Sequence, residues 1–131
     1  MLKLNNIYRK RLREQDGVEI WLVDGAAVRR ELFVDFVMGG HDGRYKFIPA
    51  GEIWIDNSLS LEDLEYTIAH EIHERERMVN AGLDYSTAHD EAVDIEHKMR
   101  LADRKAAEEK ELETEAVELG TYLYYGKEGE D

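Results

Sequence analysis

Four of the chain's five histidines lie in its C-terminal half: His70, His73, His89 and His97. Two of them belong to the string Ala69-His70-Glu71-Ile72-His73-Glu74. On a helix, residues four apart project one turn apart from the same face. His70 and Glu74 would then stand side by side, about 40° apart around the axis, with Glu71 about 60° further round beside the apolar stripe. Two ligands one turn apart can hold a divalent metal. A carboxylate directly after the first ligand can reach the metal-bound water as a general base. That chemistry needs no Ser or Cys nucleophile, because the metal lowers the pKa of the water to about 7. The chain has no cysteine, which excludes disulfide scaffolds, thiol nucleophiles and Cys-ligated metals. Any metal site must be built from His, Asp and Glu.

A third ligand has to come from outside the string. His89 is the first choice, since the short loop Leu83-Asp84-Tyr85 lets a following helix fold back over the first. His97, Asp90, Glu91 and Asp94 are rivals, and Asp94 with His97 is itself a plausible ligand pair. His73, three residues after His70, is the alternative second ligand; in that case Glu74 would support the ligands from behind. Tyr85 is a candidate to stabilise an oxyanion. His41, in Gly39-Gly40-His41-Asp42-Gly43, reads as a turn residue rather than a ligand.

These residues need elements to hold them. Ser60 is a good N-cap, and Leu61, Leu64, Ile68, Ile72 and Val79 form a stripe at helical spacing, so a helix spans 61–80 and Gly82 stops it. Ser86 or Thr87 caps a long helix, 87–118, with Ala88, Ala92, Ile95, Met99, Ala102 and Ala106 as its buried stripe; Gly120 ends it. Upstream, residues 18–23, 32–38, 45–48 and 52–55 carry strand signals. Residues 26–31 read as a returning hairpin strand, with a short helix over 26–32 as the competing assignment. Leu4, Ile7, Tyr8 and Leu12 sit at helical spacing, so residues 1–16 form a short basic helix stopped at Asp16-Gly17. The expected fold is one α+β domain over 1–131. A small, mostly antiparallel sheet (18–56) packs on the site helix (61–80) and the long helix (87–118). Tyr122, Tyr124 and Tyr125 fold back on the sheet or form an aromatic patch, and 126–131 is a mobile acidic tail.

The stretch IWIDNSLSLEDLEYTIAHEIHE resembles the strand and active-site helix of zincin-type metallopeptidases, the minimal gluzincin-like domains in particular. The resemblance implies zinc, a peptidase or amide hydrolase activity, His70 as first ligand, Glu71 as general base and a third ligand on the following helix. The chain departs from the HExxH pattern: Glu74 stands where the second histidine belongs, which makes a harder, more anionic site. Over about residues 23–97 the chain is also similar to small phage- and plasmid-borne proteins of unassigned activity.

Charge narrows the alternatives. Against 17 Lys and Arg stand 30 Asp and Glu, a net charge of −13, which disfavours direct nucleic-acid binding. Residues 1–13 hold five basic groups and no acid, read as a solvated helix end. No apolar run suffices for a membrane span, and no apolar segment follows the basic start as in a secretory leader, so the expected location is cytoplasmic. The leading expectation is a zincin-like zinc hydrolase acting on a peptide or protein, with His70, Glu74 and His89 on the metal. The alternative is a non-catalytic acidic protein that binds or inhibits a basic protein partner from the same scaffold. A regulatory metal sensor is a third reading.

Overall fold

The computed structural model describes residues 7–119. Its elements are β1 (Arg9–Gln15), β2 (Val18–Val23), α1 (Gly25–Glu31), β3 (Gly39–His41), β4 (Glu52–Asp56), α2 (Leu61–Val79) and α3 (Tyr85–Glu118). The strands make one sheet in the order β1-β2-β4-β3. The chain divides into two compact units, Met1–Glu96 and His97–Asp131. The fold is α+β, but the sheet is mixed and begins at residue 9: β2 and β4 run parallel, while β1 and β3 pair antiparallel at the two edges.

The expected N-terminal helix is corrected first. Residues 9–15 are a strand because Asp16-Gly17 is not a helix stop but a two-residue hairpin turn, both residues having positive φ (51° and 82°). The register shifts between Arg11 and Arg13, so Leu12 sits in a bulge. Arg9, Arg11 and Arg13 pair with Glu52, Glu19 and Glu65, so this basic segment is held by the chain's own carboxylates. Over 25–31 the competing short helix is the one that forms, with the Asp24 side chain accepting from Ala27 N.

Residues 32–38 and 45–48 are not strands. Phe36 plugs the core fully buried, while Val34 and Val37 on either side are exposed, so this apolar run serves as a buried anchor and not as a ladder. Tyr45 and Phe47 instead build an aromatic chain with Phe33 and Trp54. The strand in this region is Gly39–His41. A Cβ on Gly40 would meet the Tyr45 ring at 2.5 Å, so this backbone approaches its neighbours as only glycine permits.

Side chains alternate across β2 and β4 and so supply two cores. Val18, Ile20, Ile53 and Ile55 face α2 through Ile68. Val23 and Trp54 face the other way, onto Ala27, Val28, Phe36 and Ile48. α2 begins where expected, with Ser60 Oγ accepting from Asp63 N at 3.1 Å. The cap of α3 is Asp84, not Ser86 or Thr87: its Oδ1 accepts from Thr87 N at 2.8 Å. Gly82 has φ +73°, as a helix stop requires. In α3, Ala88 and Ala92 are buried, Ile95 and Met99 are half-buried, and Ala102 and Ala106 are exposed, so the expected apolar stripe ends early. No helix among the described residues is long and apolar enough to cross a membrane. Gly120, the three C-terminal tyrosines and the tail 126–131 lie outside the described residues.

Candidate metal centre

The two histidines and the glutamate singled out above converge. Glu74 Oε2 lies 3.2 Å from His70 Nε2 and 2.9 Å from His89 Nδ1. One donor atom from each of His70, Glu74 and His89 falls within 4.8 Å of the others, close enough to hold a metal ion. Donors about 2.1 Å from a tetrahedral ion stand about 3.4 Å apart, so little movement separates this arrangement from a ligand set. α2 supplies two donors one turn apart, and the first turns of α3 supply the third, as the short loop between the helices allows.

Without a metal, protons join the three groups. His70 Nδ1 donates to Glu96 Oε1 at 3.1 Å while Nε2 donates to Glu74. Burial works against charging this ring, but Glu74, Glu71 and Glu96 outweigh it and raise its pKa. Burial also opposes ionisation of Glu74. His41, His70 and His89 overcome that and hold its carboxyl well below the usual range. A cation entering here would displace protons already held in ligand geometry, with Glu96 keeping the His70 ring oriented from behind.

His41, read from sequence as a turn residue, is fully buried beside this cluster. Its Nδ1 accepts from Gly43 N at 3.1 Å, so in the neutral ring Nε2 carries the proton and donates to Glu74 Oε1 at 3.0 Å. His41, Glu71 and Glu74 form a second group within metal-binding distance. The ring does not suit a ligand role, because freeing Nε2 would put a proton on Nδ1 and break the Gly43 bond. Its geometry suits it to orient Glu74, turning Oε2 toward His70 and His89. The available signal was the glycine pair, which marks close backbone approach rather than a free turn. Glu96 had no sequence signal; 26 residues of chain separate it from His70.

Glu71 is buried, with Oε2 3.9 Å from His70 Nε2. Burial, reinforced by the Glu74 charge, pushes its pKa up to about 8. Tyr85 packs on the His89 ring, with its hydroxyl 3.3 Å from Nδ1. The alternative ligands of the first unit do not join the group. His73 donates to Glu91 Oε1 at 3.1 Å, which Arg77 also contacts. Asp90 and Asp94 are exposed, and His97 is exposed in the second unit. Comparison with protein-family models, curated proteins and solved structures yields no match.

Proposed function

We propose that this chain is a zincin-like, zinc-dependent hydrolase of peptide or amide bonds, working in the cytoplasm. One observation carries the reading: three donors converge from two helices, with a buried carboxyl beside them. Two imidazoles and one carboxylate are a donor set that zinc accepts, and three protein ligands leave a fourth position open, as catalytic sites do and sensor sites do not. When bound, the ion would supply a Lewis acid, a coordinated water of pKa about 7 and the positive charge that favours the ionised form of Glu71. In that setting Glu71 would be the general base that accepts a proton from water and passes it to the leaving amine. The Tyr85 hydroxyl, beside His89, would donate to the developing oxyanion. His41 and Glu96 hold Glu74 and His70 in their working orientations. The chain has no cysteine and so needs no oxidising compartment to form disulfides.

The test is elemental analysis of protein purified without chelator or affinity metal, beside His70→Ala and Glu74→Ala. About one zinc per chain is expected, lost in both variants. No metal after zinc is added back would overturn the reading. Glu71→Gln should keep the zinc and lose hydrolysis by about 100-fold or more.

A second reading, an acidic protein that binds a basic partner, is favoured by residues 107–118. This stretch has six Glu against one Lys and is exposed throughout except at Ala116. It predicts binding that weakens steeply with salt and ignores chelator.

A further inference from the structure

We propose that Arg44 forms a subsite for a carboxylate that the substrate carries near the bond to be cleaved, on the Tyr85 ring that also packs on the candidate ligand His89. The inference rests on the metal-centre reading and names the class of substrate it would take.

Arg44 follows β3 in a turn, its N–H bonded to the His41 carbonyl at 3.2 Å. Its Cζ lies 3.4 Å from the centroid of the Tyr85 ring and 5.3 Å from that of Tyr45. At the shorter distance the guanidinium must lie flat on the Tyr85 ring, because an edge-on approach would drive a nitrogen inside van der Waals contact. A guanidinium stacked by its face keeps its N–H edge available for a bidentate carboxylate. The same ring packs on the His89 imidazole, 5.2 Å between centroids, and its phenol oxygen stands 3.3 Å from His89 Nδ1, the atom that faces Glu74. Arg44 and a candidate ligand therefore contact one and the same aromatic ring, which places an anion on Arg44 near the centre.

The charge pattern singles this residue out. The seven other arginines between residues 7 and 96 each have a carboxylate within ion-pairing distance. Arg44 has none among the described residues, in a chain with 30 acidic groups. Glu74 attracts it only from a distance, and its side-chain bond to Tyr45 uses part of its donor set. Exposed and stacked on two tyrosine rings, it is a preorganised cation that meets no carboxylate partner among the described residues and is open to one on a ligand.

The test uses full-length, zinc-loaded protein and calorimetric titration with two kinds of probe. One is a series of dicarboxylic acid monohydroxamates of increasing length; the other is the matched alkyl hydroxamates, which lack the carboxylate. At least one carboxylate probe should bind about tenfold or more tightly than its alkyl match, as a charge-assisted bond would give. Arg44→Ala should erase that difference while leaving alkyl affinity unchanged, which also shows the variant intact; Arg44→Lys should restore only part. Equal binding of both kinds, unaltered in Arg44→Ala, would overturn the subsite and leave the metal reading standing. Failure of both kinds to bind would overturn both.

Discussion

Glu74 meets three histidines through two oxygens: His41 holds Oε1, while Oε2 faces His70 and His89. His41→Ala removes no candidate ligand, yet it should weaken zinc binding about 10- to 100-fold, as loss of an orienting partner does. Titration against a competing chelator measures this, and unchanged affinity would show that Glu74 needs no orientation. Glu71 makes a pH prediction for the metal-free protein. Its carboxyl is raised from 4.5 to about 8, so the folded state holds a proton that the unfolded chain releases. Stability should therefore fall as pH climbs through that window, by up to about 1.4 kcal/mol per pH unit. His70, also raised, acts in the same direction: its contribution is full below its unfolded pKa and lost as pH rises through the folded one. Glu74, lowered, contributes above its unfolded pKa and loses that contribution as pH falls through the folded one, at the acid end. Urea denaturation at about pH 5 and about pH 8 reads the slope, and Glu71→Gln should flatten much of it.

At the scale of elements, the site depends on two helix starts and one short strand. Asp84, not Ser86 or Thr87, satisfies the first turn of α3. Asp84→Ala should cost about 1 kcal/mol by chemical denaturation, while Ser86→Ala and Thr87→Ala should stay within about 0.5 kcal/mol. Equal losses at all three positions would refute this assignment of the cap. β3 brings His41 to Glu74, and its glycines let it pass close to Trp54 and Tyr45. Gly40→Ala should overpack against the Tyr45 ring and destabilise by about 1–3 kcal/mol, with a change in near-ultraviolet circular dichroism. Helix and strand assignments were legible where a cap and a single period agreed, as in α2. They failed at residues 32–38, where an apolar run is used to anchor one buried phenylalanine.

At the scale of the molecule, the net charge of −13 sets a repulsion that no single ion pair cancels. The melting temperature of the metal-free protein should rise as salt is added from low ionic strength to about 0.15 M, where the Debye length is about 8 Å. A fall instead would mean that the arginine–carboxylate pairs of β1, all partly exposed, outweigh the general repulsion.

Local information determined the two long helices, the strand before the first of them and the side-by-side placing of His70 and Glu74. Each follows from caps, periodicity and the 3.6-residue turn, which act over a few residues. His89 was within reach because a short loop restricts where the next helix can start. The parallel pairing of β2 with β4, the burial of His41, the Glu96 contact to His70 and the stacking of Arg44 on Tyr85 were decided only by tertiary structure. Each joins residues more than twenty positions apart, and no periodicity in the chain encodes which partners long-range packing will select.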